Sequence, residues 1–337
     1  ALSIVVVALN EAQGIRPLMA SIRKLAKPSS LSVETVLVDG GSADGTVREA
    51  REAGFDKVIE LPGANIPACR NRGSAEAGGQ WLAYVDADCE VAEDWLEKAL
   101  PLLRQSGEIV LGWPAEPPEP PTWVQAAWKI HWTTKNPRTE IFDGQPIVRH
   151  DGFRLVTTRN MLLSRTVFEK LGGFDEGLAT GEDTDFVLRA YLQGIPVIGL
   201  PALRVVHRGE PATLGAFFRQ QVWHANVRSY RNIVRKTGAR VGGNAPVYTV
   251  AFAVALALFV AGIVLESVGK AGWVLLLPLP AVVVLPALLI ANRARRLKFA
   301  VPLAILYAAY GLARTMDLAG FARTKKSWKA PSPAAPA

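Results

Sequence analysis

Trp81-Leu82-Ala83-Tyr84-Val85-Asp86-Ala87-Asp88 is the stretch on which the fold turns: an apolar run that stops at two acids. An unbroken apolar run of this kind marks a strand buried on both faces. Similar runs occur at Ser3–Leu9, Val33–Val38, Lys57–Leu61 and Ile109–Leu111. Helical stretches separate them, near 12–26, 44–53, 66–77 and 92–104. That alternation predicts an α/β fold with a mostly parallel sheet and helices on both sides. Ligands of such sheets bind outside the carboxyl ends of the strands. The polar clusters that follow the apolar runs are therefore the candidate site.

Three clusters occupy such ends. Asn10-Glu11 follows the first run, and Asp39-Gly40-Gly41-Ser42-Ala43-Asp44-Gly45-Thr46 follows the second. Asp86-Ala87-Asp88 follows the fourth. Glycines let the turn after Asp39 approach a ligand closely, and the Asp39 carboxylate can accept from a base or ribose donor. Asp44 can instead cap the next helix. In an extended segment Asp86 and Asp88 would point the same way. Two such carboxylates repel unless donors or a cation lie between them, and hard oxygens suit Mg²⁺ or Mn²⁺.

Further along, Gly181-Glu182-Asp183-Thr184-Asp185 opens a helix. Three acids in a first turn satisfy the helix dipole, or one of them serves as general base on an acceptor hydroxyl. His207 ends the run Val197–Val206 and is either a core residue or a neutral metal ligand. His131, His150 and His224 have no evident partner in sequence. The two cysteines, Cys69 and Cys89, read as small buried hydrophobes in a reduced setting, with no disulfide framework. Residues 112–123 are Pro-rich and read as a semi-rigid loop, while 123–152 shows no clear period.

The net charge of +8 is unevenly spread. Residues 1–203 carry 20 Lys and Arg against 27 Asp and Glu, a balance of −7, while residues 204–337 carry 18 against 3, a balance of +15. An acidic front half does not suit nucleic acid, and a basic, apolar back half suits a membrane. The uncharged runs 245–265 and 271–292 are 21 and 22 residues long, enough to cross a bilayer. The run 299–313 has 15 residues and is a short span or an interfacial helix.

Basic clusters flank these runs: Arg228, Arg231, Arg235, Lys236 and Arg240 before them, Arg293, Arg295, Arg296 and Lys298 between, and Arg323, Lys325, Lys326 and Lys329 after. All three lie on the cytosolic side if the first two runs form a hairpin and the third stays at the surface. The expected division is a catalytic domain over 1–210, a juxtamembrane basic amphipathic helix over 211–243, a membrane region over 244–321 and a disordered Pro/Ala-rich tail over 322–337. The chain opens at Ala1 with no charged-then-apolar segment ahead of the first run, which predicts a front half that is not secreted.

Taken together, these motifs resemble the family-2 glycosyltransferases of the GT-A fold. Asn10-Glu11 looks like the family's opening motif, with Val7 standing where proline is usual. Asp39-Gly40-Gly41-Ser42 with Asp44 and Thr46 is similar to its nucleotide-binding turn, and Arg70-Asn71 with Gly73 to its next helix motif. Asp86-Ala87-Asp88 matches its metal and diphosphate motif, and Gly172-Gly173-Phe174-Asp175-Glu176 with Glu182-Asp183 its acceptor-side motif. The resemblance covers roughly 2–210. It implies a Rossmann-like GT-A sheet and an inverting transfer of one sugar from a nucleotide-sugar, most often a UDP-sugar. It further implies Mg²⁺ or Mn²⁺ on Asp88, Asp86 and His207, and Asp183 as base. Leu9, Glu11, Asp39, Arg70 and Asp86 would hold the donor.

Processive members carry Gln-x-x-Arg-Trp, and here Gln220-Gln221-Val222-Trp223-His224 lacks the Arg-Trp pair. Single transfer to a lipid or lipid-linked acceptor is expected, at an inner or plasma membrane with the catalytic domain in the cytosol. The competing reading is an inactive nucleotide-binding scaffold. A dinucleotide oxidoreductase would need Gly-x-Gly-x-x-Gly where Ala8-Leu9-Asn10-Glu11 stands.

Overall fold

The computed structural model of the chain describes residues 1–134, 139–149, 155–225, 233–235 and 245–318. His150, the tail and the basic residues at 228, 231, 236, 240, 323, 325, 326 and 329 lie outside them. Strands β1 (Leu2–Ala8), β2 (Val33–Asp39), β3 (Lys57–Glu60), β4 (Trp81–Asp86), β6 (Val110–Gly112), β9 (Met161–Ser164) and β10 (Val197–Gly199) form one sheet, in the order β10-β6-β9-β4-β1-β2-β3. Every pairing is parallel except those of β9, which runs antiparallel between β4 and β6. The sequence did not mark β9, because four residues too few to alternate follow an irregular stretch.

The strands are buried on both faces. From β1, Leu2, Ile4, Val6 and Ala8 enter one core, with Ile15, Leu18 and Met19 of α1 (Ala12–Arg23) and Trp95 and Leu96 of α4 (Trp95–Ser106). Val5 and Val7 enter the other, with Cys69 of α3 (Ile66–Glu76) and Phe186 and Val187 of α7 (Glu182–Leu192). Alternation of side chains along a strand produces this division. Ser3 is the buried exception; it donates to Glu34 Oε2 and accepts from the Gly79 N–H. The two short helices α2 (Thr46–Glu52) and α6 (Arg165–Lys170) complete the domain.

Two small antiparallel ribbons lie outside the sheet. In one, β5 (Cys89–Val91) pairs with β11 (Val205–His207) and sets His207 opposite Cys89. The other is the hairpin β7 (Glu140–Phe142) with β8 (Gln145–Ile147). Within the stretch that lacks a sequence period lies α5 (Trp123–Thr133), started by a capping box between Thr122 and Gln125.

Three long apolar helices follow: α9 (Ala245–Ser267), α10 (Pro278–Arg293) and α11 (Ala300–Leu318). With the short turns ahead of the last two, they make segments of 23, 21 and 20 residues, with mean hydropathies of 2.5, 2.7 and 1.3. All three have the length and composition to cross a membrane, so the third exceeds the 15 uncharged residues visible in sequence. Val250, Ile263, Leu285 and Val301 remain exposed on them, as residues facing lipid would.

Within the span 211–243, where an amphipathic helix is expected, α8 runs over Leu214–His224 and is capped by Thr213; residues 226–232 and 236–244 lie outside the described residues. Its Phe217 is fully buried, packed with Trp128 of α5 and with Ala287, Leu303 and Leu306 of α10 and α11. Phe217 thus faces protein rather than lipid.

Candidate active site

The turn after β2 is tied to the end of β1. Asn10 adopts φ 58°, a left-handed conformation that asparagine tolerates. Its side chain accepts from the Ala43 N–H (2.9 Å), and its own N–H donates to Ser42 Oγ (2.7 Å). Asp44 accepts from the first N–H of α1, that of Ala12, and from the Thr46 N–H at the start of α2. Asp44 thus satisfies the first N–H of both helices from outside them, the N-cap positions themselves being Glu11 and Gly45.

Asp39 is buried. Its carboxylate accepts from the N–H groups of Gly41 (2.9 Å) and Ser42 (2.8 Å) and from the Ser42 hydroxyl. It shapes its own turn, and a base or ribose donor would have to share its lone pairs. Leu9 lies half-buried beside Asn10.

Asp86 and Asp88 do not lie on one extended face. β4 ends at Asp86, and Ala87-Asp88 forms a turn into β5. The carboxylates thereby take different partners. Asp86 Oδ1 meets Arg70 Nη2 at 3.2 Å, and Asp88 Oδ2 meets His207 Nε2 at 3.0 Å. Two glycines allow this closeness. A Cβ on Gly209 would sit 2.1 Å from Asp88 Oδ2, and one on Gly14 would sit 2.5 Å from the Ala87 carbonyl oxygen.

His207 Nδ1 faces Glu210 Oε1 at 3.2 Å, and Glu210 also binds Arg159. Burial resists charge on His207, but the Asp88 carboxylate outweighs it against the push of Arg159, and the imidazole pKa stands at about 10. Burial also resists charge on Glu210, yet Arg159 and His207 hold it down at about 2. For Glu11, burial and then repulsion from Asp88 and Asp86 push the carboxyl up to about 8. Glu11, Asp86, Asp88 and His207 thus act on one another in one place.

This donor set fits a hard divalent cation. Candidate ligand atoms of Asp88, Cys89 and His207 all lie within 4.8 Å of one another. Burial and then Asp88 push the Cys89 thiol well above its ordinary pKa, so it stays protonated and is the poorest ligand of the three. The Asp88 carboxylate remains, and with it the imidazole once an ion displaces the proton that holds His207 to Asp88; both side chains crowd the position a Cβ at 209 would take.

The acceptor-side motif is held by α3. Asn71 donates to the Phe174 carbonyl (2.9 Å) and to Glu176 Oε1 (2.8 Å), and accepts from the Phe174 N–H (2.8 Å). Arg70 is buried and joins Glu182 to Asp86. It braces two acids. The three acids of α7 are sorted by their partners. Glu182 pairs with Arg70, and Asp185 is buried against Arg189 (2.7 Å). Asp183 is half-buried; its Oδ1 accepts from the Thr184 N–H (2.7 Å), and it acts electrostatically on Arg70. Of the three, Asp183 is the one not committed to an arginine salt bridge.

Arg159 and Glu210 were not found in sequence. Glu210 lies three residues beyond His207, a spacing that could have flagged it, and Arg159 precedes the unmarked strand β9. His131, without a partner in sequence, stacks on Trp128 and bonds Tyr307 Oη at 2.7 Å.

Comparison with known proteins identifies the family and the fold. The profile of glycosyl transferase family 2 matches residues 3–172. The glycosyltransferase AglE of Haloferax volcanii is 27% identical over 193 residues, 56% of this chain and 60% of that protein. The succinoglycan biosynthesis protein ExoM of Rhizobium meliloti is 28% identical over 53% of this chain and 59% of that protein. The chain thus matches about three fifths of the length of these relatives. Among solved structures, the mannosyltransferase PcManGT of Pyrobaculum calidifontis, in complex with GDP-Man and Mn²⁺, superposes with a TM-score of 0.60 at 16% identity, over 94% of this chain and 87% of that one. The S. aureus TarS fragment 1–349 in complex with UDP gives 0.51 at 17% identity, over 95% and 91%. The shared fold is GT-A, a mostly parallel sheet with helices on both faces.

Proposed function

The chain belongs to glycosyl transferase family 2, and from that premise we propose that it is a membrane-associated, metal-dependent, inverting transferase. It moves one sugar from a nucleotide-sugar to a lipid or lipid-linked acceptor. The observation that carries this reading is the contact of Asp88 with His207, with Glu11 and Asp86 crowded beside it. Carboxylates are gathered there as a cation and a diphosphate would require.

Asp183 takes the proton of the acceptor hydroxyl. The acceptor oxygen then bonds to the anomeric carbon on the face opposite the leaving group. The bond from that carbon to the diphosphate oxygen breaks, its electron pair leaves with the nucleoside diphosphate, and the configuration inverts. Mg²⁺ or Mn²⁺ held by Asp88 and His207, with Asp86 beside them, would neutralise charge on the leaving diphosphate. Arg70 keeps Asp86 and the start of α7 in register. Glu11 and the Asn10–Asp39 brace form the wall for the nucleotide, with Leu9 beside it. UDP is the expected nucleotide, as in the TarS complex, although the PcManGT complex holds GDP-Man.

Apolar segments as long as 245–267 suit a bilayer, and the basic residues Arg293, Arg295, Arg296 and Lys298 follow the second segment. The reading is a multi-pass protein of an inner or plasma membrane with the catalytic domain in the cytosol. It is tested by following UDP release from UDP-sugars by the purified full chain with Mn²⁺ and a polyprenyl phosphate. Acceptor-stimulated release is expected. A chain that binds UDP with Mn²⁺ but releases none from any sugar donor would be the inactive scaffold instead.

A further inference from the structure

His207 is held on both flanks from one helix. Gln125 of α5 donates its side-chain amide to the Glu210 carbonyl at 2.9 Å. Four residues on, Lys129 pairs with the Glu116 carboxylate at 2.9 Å, and the Glu116 carbonyl accepts the His207 N–H at 2.8 Å. The imidazole between these two anchors is held as well. Its Nδ1 lies 3.2 Å from Glu210 Oε1, which also accepts from Arg159. Arg159 leaves a fixed backbone. Its neighbour Asn160 is fully buried, donates to the Trp113 and Leu203 carbonyls, and accepts from the Trp95 indole. The same α5 is anchored to the apolar helices. Trp128 and Ile130 share a cluster with Leu303 and Leu306 of α11, and His131 bonds Tyr307 Oη at 2.7 Å.

We infer that Glu210 and α5 position His207 as a metal ligand: Glu210 fixes the imidazole with Nδ1 as donor and Nε2 towards the ion, and α5 fixes Glu210. The inference rests on the transferase reading and adds Gln125, Arg159 and Glu210 to its metal site as positioning residues. A ligating histidine needs its second ring nitrogen held, since an acceptor there sets which nitrogen is free and aims the ring. Here Nε2 is left facing Asp88 at 3.0 Å. Arg159 balances the charge of Glu210, so this carboxylate serves the ring and does not compete with Asp88 for the ion. Because α5 is bound to α11 as well, the setting of His207 depends on the packing of the domain against the apolar helices.

The test follows Mn²⁺ binding to the full chain in detergent by electron paramagnetic resonance, which reads the free ion and needs no turnover. Glu210→Ala removes the acceptor at Nδ1 and should weaken Mn²⁺ binding about tenfold. Glu210→Gln keeps an acceptor oxygen there without the charge. It should recover most of the loss, which a role limited to the Arg159 ion pair would not allow. Gln125→Glu retains the Oε1 that caps α5 but has no N–H for the Glu210 carbonyl, and should weaken binding about threefold. Tm is read for each variant, and Gln125→Glu decides alone if Glu210→Ala does not fold. Unchanged Mn²⁺ affinity in Gln125→Glu or in Glu210→Ala, or Glu210→Gln as weak as Glu210→Ala, would overturn the positioning role. The unaltered chain is titrated in parallel with UDP present. Failure to bind Mn²⁺ there overturns the metal-dependent transferase reading and the positioning with it, whereas binding there that every variant matches overturns the positioning alone.

Discussion

The strand-end site and the packing of the domain against the apolar helices are built differently. On the donor side, short polar contacts between strand ends fix the geometry: Asn10 to Ala43, Asp39 to its own turn, Asp88 to His207. On the membrane side, stacked side chains of α5, α8, α10 and α11 do so, with Trp128, Phe217, Leu306 and Tyr307 in one cluster. Chemistry needs atoms placed within tenths of an ångström, which hydrogen bonds on rigid strands provide. Holding a domain against apolar helices needs buried area, which aromatic residues supply.

The comparison is broken most severely at Asp183. Asp183→Asn keeps the shape of α7 but removes the base, and transfer should fall about 10³-fold, on the order of 4 kcal/mol in the barrier. Donor binding, followed by titration with UDP and Mn²⁺, should hold. Next is Trp128→Ala, which empties the centre of the membrane-side cluster. It should cost about 3 kcal/mol of stability, read as a fall in Tm of the full chain in detergent, with the order of metal preference unchanged.

Gly209→Ala sharpens the contrast from the donor side. Its Cβ would lie 2.1 Å from Asp88 Oδ2, so Mn²⁺ affinity should drop about tenfold while Tm moves little. The smallest effect belongs to the amino ends of the strands, away from the site. Burial resists charge on Glu34, but Lys57, Ser3 and the Gly78 N–H outweigh it and bring the carboxyl to about 2 from an ordinary 4.5. The folded-state value is depressed, so the contribution is present above about pH 4.5 and lost as pH falls through about 2. Glu34→Gln should cost on the order of 1 kcal/mol at neutral pH, and urea midpoints of the two proteins should converge towards pH 2.

The same division explains what could be read from sequence. The strand ends were legible because unbroken apolar runs stop at polar clusters, and β1, β2 and β4 lie within a residue or two of the predicted bounds. The direction of Asp86 and Asp88 was not, since spacing alone cannot tell an extended pair from a turn into β5. Nor was α5. Its buried face includes Gln125 and His131, which break the apolar period. Each is satisfied by a distant partner, the Glu210 carbonyl and Tyr307 Oη. Arg159 escaped for the same reason, since its partner Glu210 is distant in sequence; Glu210 carried a local cue in its place three residues beyond His207.

The most direct measurement is calorimetric titration of UDP into the full chain with and without Mn²⁺, repeated for Asp88→Asn. UDP should bind tightly to the unaltered chain only when Mn²⁺ is present, and weakly to Asp88→Asn under either condition. Equal affinity with and without the ion, or binding that survives intact in Asp88→Asn, would mean that the acids gathered around His207 do not receive a nucleotide diphosphate.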